Sequence, residues 1–228
     1  MRKTLKGKNL RKSKKVTYFS LFIVFFFLGL VIFHGPILNG AGRLLAPTSM
    51  ENGEVLILGG NQVVKNGALK AGMRLLSEGR AERMVVVLLQ FSEEDQVFPP
   101  QEKYAQLVIN ELEHLGLKKE KVQIILVPID GHPITLAEAR FVVPKLSQNG
   151  VRSAILLSKG FHTRRSFGVY SKEGERVGLR VIPTPYFINY EPNAWWRDVQ
   201  GVNDFVQESL KLAYYLLHGY VSIKYLWY

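Results

Sequence analysis

The chain has 228 residues, a formal net charge of +11, 47% hydrophobic residues and no cysteine. Eight of its thirty Lys and Arg residues fall within residues 1–15, where there is no acid, which leaves 22 basic against 19 acidic residues elsewhere. A nearly neutral body argues against nucleic-acid binding. The lack of cysteine excludes disulfides, thiolate metal sites and a cysteine nucleophile.

A long uncharged segment follows the basic tail. Residues 16–33 carry no charge and include five Phe between positions 19 and 27. About twenty such residues cross a hydrocarbon core of roughly 30 Å, so we predict a transmembrane helix over residues 16–38 that contacts the lipid bilayer. The positive charge before this segment predicts a cytoplasmic N-terminus and an exported body. The length of the apolar segment favours an uncleaved signal anchor over a cleaved signal peptide.

These features predict five segments along the chain. They are a basic cytoplasmic tail at 1–15, the anchor at 16–38, a linker at 39–53, an exported domain at 54–219 and an aromatic tail at 220–228. The basic tail suits anionic lipid headgroups on the inner leaflet. The aromatic tail fits two locations, the membrane interface or the surface of the domain, and the sequence does not separate them.

Within the body, apolar runs alternate with segments of helical periodicity. Strands are predicted at residues 54–58, 83–89, 122–127, 153–158 and 179–182, and helices at 66–79, 101–116, 135–149, 163–173 and 195–218. Continuous apolar strands that are separated by helices are typical of a parallel sheet covered on both faces. We therefore expect an α/β domain: three layers, doubly wound, with a mostly parallel sheet of about five strands.

Ligands of such sheets bind outside the carboxyl ends of the strands. Ser158 ends a predicted strand there, and His162 and Arg165 stand at the start of the next helix. A helix N-terminus and an arginine both favour an anion, which predicts a phosphate or carboxylate site. The alternative is a solvated basic turn in which His162 caps or packs.

A second strand end offers backbone rather than side chains. Gly59, Gly60 and Asn61 follow the first predicted strand, and two glycines allow a phosphate or sugar to approach the backbone closely. The segment matches neither a dinucleotide fingerprint nor a P-loop. A simple tight turn explains the two glycines equally well.

Four polar residues surround the start of the helix at 135–149. Asp130 and His132 are candidates for the site, although Asp130 also begins an ordinary turn. Thr135 and Glu138 have the spacing of a capping box, which would give Glu138 a structural role. Glu102 lies near the start of another helix, where the helix dipole stabilises a carboxylate.

Other chemistries have little support in the sequence. The acidic residues of Ser92 to Asp95 predict a solvated loop rather than a metal site, because no His is paired with them. We expect no metal, and the sequence identifies no cofactor. The common serine-hydrolase and zinc-protease motifs are missing from the chain.

Motifs at the predicted strand ends, and two residue pairs later in the chain, resemble those of a known family. Leu58 to Asn61, Ser158 with Phe161-His162 and Arg165, Trp195-Trp196, and Glu208 with Lys211 match its pattern over residues 54–219. The chain is similar to the domain of unknown function 218 family, the SanA/YdcF/ElyC-like bacterial proteins. That resemblance implies a Rossmann-like fold and a part in cell-wall or surface-polysaccharide biogenesis, in the envelope.

The chain also departs from the family pattern. Leu89-Gln90-Phe91 replaces a Ser-Gly-Gly turn, Gly67-Ala68 replaces an early helix Arg, and Glu138 stands in place of the usual Asn.

Together these observations predict a single-pass protein of the bacterial inner membrane, with its C-terminal domain outside the cytoplasm. A strand-end pocket would take a small phosphorylated or sugar-nucleotide-like ligand. As a hydrolase or transferase, the protein would use His162 as acid or base, Glu102 or Asp130 as the partner carboxylate, and Arg165 as anion clamp. The ligand-binding group would comprise Gly59, Gly60, Asn61, His132, Thr135 and Ser158 as well. The alternative is a non-catalytic scaffold that keeps the pocket.

Overall fold

The computed structural model describes residues 3–61, 64–90, 101–129 and 131–227. Asp130 and the loop with Ser92 to Asp95 lie outside these ranges. The chain forms two compact units, residues 1–41 and 42–228. The first unit is helical, as part of α1 (Lys3–Leu45). No helix within the described part of the chain combines the length and apolar character needed to cross a bilayer.

The start of the body differs from the predicted linker at residues 39–53. Helix α1 continues to Leu45, which is buried, and residues from Gly42 onwards belong to the second unit. The segment after α1 is held in place by Arg80, whose guanidinium donates to the backbone oxygens of Ser49 and Glu51 at 2.9 and 2.7 Å. The folded body therefore begins near Gly42 rather than at residue 54.

Strands and helices alternate through the body, as predicted. The strands are β1 (Val55–Asn61), β2 (Arg83–Gln90), β3 (Val122–Pro128), β4 (Ser153–Lys159) and β5 (Arg180–Tyr186). The helices are α2 (Asn66–Ser77), α3 (Gln101–His114), α4 (Ile134–Gln148), α5 (His162–Val177) and α6 (Val199–Leu217). All four strand pairings are parallel, in the order β3-β2-β1-β4-β5, which confirms the α/β class with five parallel strands.

The core lies on both faces of this sheet. On one face, Leu56 and Met84 pack with Leu69 of α2 and Leu112 of α3. The strand residues that face the other way, such as Ile57, are equally buried. Helices α4 and α5 pack against each other and against strands of the sheet. Because successive side chains of a strand point to opposite faces of the sheet, each strand packs against a helical layer on both faces.

Two observed elements have different boundaries from those predicted, and each difference has a physical reason. Strand β5 runs on to Tyr186 because Pro183 and Pro185, two residues apart, lie in an edge strand where a missing N–H costs no ladder bond. The predicted helix at 195–218 divides into a 3₁₀ turn at Trp195–Arg197 and helix α6. Asp198 separates them, since its Oδ1 accepts the N–H groups of Gln200 and Gly201.

The aromatic tail packs back on the body through part of its length. Val221 and Tyr225 are buried, and the Tyr225 ring meets Phe167 of α5 edge-on. Ile223 and Trp227 of the same 3₁₀ turn remain exposed.

The strand order places the site. The connections from β1 to β2 and from β4 to β5 lead to opposite edges of the sheet, so β1 and β4 form the topological switch point. Open α/β sheets bind ligands in the crevice outside such a point.

Candidate functional site

A crevice of about 330 Å³ opens at the carboxyl ends of β1 and β4. Its described lining combines one glycine, one aromatic and seven polar or charged residues: Gly60, Lys159, Phe161, His162, Arg165, Asp204, Gln207, Glu208 and Lys211. An inner cavity of about 40 Å³ shares Gly60, Lys159 and His162 with the crevice and adds Ser158, Ser166 and Glu138.

Arg165 lies behind the crevice and is fully engaged by protein groups. Its Nε and Nη2 donate to the two carboxylate oxygens of Glu208 at 2.9 and 3.1 Å, and its Nη1 donates to Thr135 Oγ1 at 2.9 Å. The guanidinium also stacks over the Tyr215 ring, 4.9 Å from its centre. The side chain is buried, so it fixes the floor of the site rather than standing free as an anion clamp.

His162 is held from both sides of its ring. Arg165 Nη2 lies 2.8 Å from Nδ1, and because a guanidinium only donates, Nδ1 accepts and the proton sits on Nε2. Nε2 lies 2.7 Å from Ser166 Oγ, one helical turn further along α5. Burial and the charge of Arg165 lower the pKa of His162, which favours a neutral ring.

Glu208 is the anionic centre of this group. Burial alone would raise the pKa of its carboxyl, but the hydrogen bonds and positive charge of Arg165 lower it overall. With the His162 proton on Nε2, the charge that stabilises the Glu208 carboxylate comes from Arg165. Lys211 Nζ adds a third contact at 3.0 Å from Glu208 Oε1.

The predicted capping box of Thr135 and Glu138 is not formed. Pro133 precedes α4 without a side-chain cap, and Thr135 accepts from Arg165 instead. The Glu138 carboxylate points into the sheet, where its Oε1 accepts the Gly60 N–H at 2.7 Å and the Tyr170 hydroxyl at 2.6 Å. Long-range donors therefore outcompete the local cap, and burial raises the pKa of Glu138 despite them.

Two lysines stand at the mouth of the crevice. Lys159 Nζ lies 3.1 Å from Asp204 Oδ2, and its side chain is 34% exposed; that of Lys211 is 50% exposed. Both lysine side chains are therefore partly exposed while each ammonium group keeps one carboxylate partner. The crevice is lined by three cationic side chains, those of the two lysines and Arg165, and by two carboxylates, Asp204 and Glu208. Its ionic side chains therefore carry one surplus positive charge.

The structure brings together some of the predicted residues. Gly59, Gly60, Ser158, His162 and Arg165 line the crevice or its inner cavity, and Thr135 joins them through Arg165.

The remaining predicted residues lie elsewhere or are not described. Glu102 is exposed at the start of α3, and His132 is exposed before α4; neither is among the described residues that line the crevice. Asn61 ends β1, and its side chain, like Asp130, lies outside the described part of the structure.

Sequence reasoning missed the contribution of α6 as a site element. Asp204, Glu208 and Lys211 are spaced four and three residues apart, which places them on one helical face. That spacing of charged residues could have indicated a polar site on this helix. Apart from Glu208, the helix buries only Gly201, Leu212 and Tyr215. Among the described residues, no cluster of His, Asp and Glu suits a metal ion.

Comparisons with known proteins add the following. No family model matches the chain, and no curated protein matches it. Among solved structures, it is similar to a protein from the universal stress protein family from Burkholderia pseudomallei. The sequences are 14% identical, with a TM-score of 0.35, over 63% of this chain and all of that one.

Proposed function

We propose that this chain is a membrane-anchored protein of the bacterial cell envelope, related to the domain of unknown function 218 family, whose crevice binds a small phosphorylated or nucleotide-like ligand. The observation that supports ligand binding is the pair of partly exposed lysines, Lys159 and Lys211, on a crevice with one surplus positive charge. The crevice lies where open α/β sheets bind ligands.

The contacts assign the roles within this proposal. The Gly60 N–H is taken by Glu138, and the Arg165 guanidinium by Glu208, so neither is free to hold an anion without rearrangement. Lysine ammonium groups have three rotatable donors each, and a single ion pair uses only one of them. An incoming phosphate is therefore held by Lys159 and Lys211 at the mouth.

The binding experiment uses the full chain in detergent. Thermal unfolding is measured with inorganic phosphate, nucleotides, sugar nucleotides and polyprenyl phosphates, and we expect stabilisation by at least one of these. The variant Lys211→Ala should lower the affinity about tenfold or more, the range for a charged hydrogen bond. Lys70→Ala, an exposed lysine on α2, is the matched control. Equal affinity in both variants, or no stabilisation by any probe, would contradict the proposed site.

A second candidate function, a hydrolase or transferase, is favoured by one further observation. Ser166 Oγ lies 2.7 Å from His162 Nε2, and Glu208 Oε2 lies 3.3 Å from Nδ1 on the other side of the ring, so a hydroxyl, an imidazole and a carboxylate are neighbours. Arg165 opposes a general-base role, because it keeps the proton on Nε2, so turnover would need Nδ1 released from Arg165. Release of phosphate from a bound ester, lost in His162→Ala, supports the enzyme; binding without turnover supports the scaffold.

The membrane location draws its support from the sequence. Residues 16–33 are uncharged and follow eight positive charges. Protease treatment of inverted and right-side-out membrane vesicles tests this topology. The body should be digested only in the right-side-out vesicles, and digestion only in inverted vesicles would refute an exported domain.

A further inference from the structure

Helix α6 presents an apolar face to solvent along its whole length. We use the name outer stripe for its exposed side chains Val199, Val202, Val206, Leu210 and Leu217. Their spacing of three, four, four and seven residues places them on one side of the helix. Leu210 is 68% and Leu217 86% exposed. A monomeric soluble surface rarely leaves so continuous an apolar face uncovered.

The opposite side of α6 is already used. Glu208, Leu212 and Tyr215 are buried against the body, and Gly201 fits against the backbone of Trp195. The outer stripe is therefore an additional apolar face. Elsewhere on the described body, exposed large apolar residues such as Leu107 on α3 are isolated along their helices.

The surroundings of the outer stripe have the composition of a membrane-interface helix. Tyr214 is half exposed beside the stripe, and Ile223 and Trp227 are exposed in the turn that follows α6. Lys211 and Lys224 supply positive charge near the stripe, and each also has a carboxylate partner, Glu208 and Glu175 respectively. Apolar side chains with aromatic and basic neighbours are typical of helices that lie in the interface of an anionic bilayer.

The body begins beside one end of α6. Gly42 lies against the Trp195 indole, where a Cβ atom would come within 2.8 Å of Nε1, and Trp195 stacks on Phe205 of α6 with ring centres 4.1 Å apart. Arg164 ties the same entry to the tail, since it donates to the backbone oxygens of Leu44 and Tyr225. The first turns of α6 and the C-terminal turn therefore lie beside the point where the chain enters.

Chain length then limits how far this entry can stand from a membrane. If residues 16–38 span the bilayer, only three residues separate the span from Gly42. The four helical steps from residue 38 to Gly42 rise about 6 Å. We infer that the outer stripe of α6 rests on the lipid bilayer, with anionic headgroups against Lys224. This inference depends on the proposed membrane anchor.

The absence of cysteine makes the test direct, because single cysteines can be labelled without removing others. Leu210→Cys marks the outer stripe, Leu28→Cys marks the proposed span, and Leu107→Cys is the matched control, an exposed leucine on α3. Each full-length variant carries an environment-sensitive fluorophore and is reconstituted into phosphatidylethanolamine and phosphatidylglycerol vesicles that contain brominated acyl chains.

We expect bromolipid to quench the labels at positions 28 and 210 and to leave the label at 107 unquenched. Leu217→Cys repeats the stripe measurement at its other end, should the label at 210 disturb packing. Quenching at 28 without quenching at 210 or 217 overturns the lipid contact and leaves the anchor standing. No quenching at 28 overturns the anchor, and this inference with it. Self-quenching of the 210 label that disappears on dilution with unlabelled protein assigns the stripe to a second copy and overturns the lipid contact.

Discussion

Arg165 and Glu208, 43 residues apart in sequence, form a two-point ion pair in which Nε and Nη2 reach the two carboxylate oxygens at 2.9 and 3.1 Å. Their side chains are only 7% and 11% exposed. The pair joins α5 to α6 and forms the floor of the crevice. The sequence predicted Arg165 as an anion clamp in the pocket; its contacts instead make it part of the structure.

The first prediction concerns this ion pair. Arg165→Ala or Glu208→Ala should each lower the free energy of unfolding by about 3–5 kcal/mol, because each leaves a buried charge without its partner. The double variant Arg165→Ala with Glu208→Ala should cost less than the sum of the single changes, because neither charge is then left without its partner. Urea unfolding of the full chain in detergent measures all three.

A surface ion pair serves as control for that cycle. Lys224 and Glu175 are both more than half exposed, so Lys224→Ala should change stability by about 1 kcal/mol or less. Additive losses in the double variant would show that Arg165 and Glu208 act independently.

The second prediction is a pH dependence that belongs to His162. Burial and Arg165 lower the pKa of this ring, so the unfolded chain binds a proton that the folded chain does not. The stabilising contribution is therefore present above the unfolded pKa of about 6.5 and is lost as pH falls through that value. Between about pH 8 and pH 5.5, wild-type stability should fall more steeply than that of His162→Gln. Parallel pH profiles would mean that His162 does not titrate differently on folding.

The third prediction compares two neighbouring glycines. A Cβ atom on Gly60 would lie 2.5 Å from Glu138 Oε2 and 2.7 Å from Leu89 Cδ2, whereas one on Gly59 would meet nothing closer than 3.8 Å. Gly60→Ala should therefore destabilise the domain by about 1–3 kcal/mol, the usual cost of overpacking, and Gly59→Ala by clearly less. Thermal unfolding of the two variants checks this ranking, and equal losses would refute the close approach of Glu138.

The fourth prediction concerns the charge on Glu138. Burial raises the pKa of this carboxyl, so the wild type loses stability as pH rises above the unfolded value of about 4.3. Glu138→Gln keeps an oxygen acceptor for Gly60 and Tyr170 without a charge. Its stability relative to wild type should therefore increase from about pH 4 to pH 7.

A matched variant separates the charge from the hydrogen bonds. Glu138→Ala leaves the Tyr170 hydroxyl and the Gly60 N–H without their acceptor, so it should destabilise at every pH in that range. If Glu138→Gln and Glu138→Ala have the same stability across this pH range, the Glu138 carboxylate is not an acceptor for these two donors.

The sequence by itself determined the alternation of elements and the edge of the sheet that carries the site. Apolar runs and helical spacing are local signals, and each observed strand overlaps its prediction. Because parallel strands end at one edge, Gly60 and His162 were expected to meet there, and both line the crevice.

The tertiary structure alone decided which partners the polar groups take. Thr135 and Glu138 had a local capping pattern, but Arg165, Gly60 and Tyr170 are close in space and satisfy them instead. The start of the body at Gly42 likewise depends on distant residues, with Trp195 against Gly42 and Arg164 donating to the Leu44 oxygen. A buried charge must find partners wherever the fold brings donors within about 3 Å, and sequence spacing does not encode that distance across separate elements.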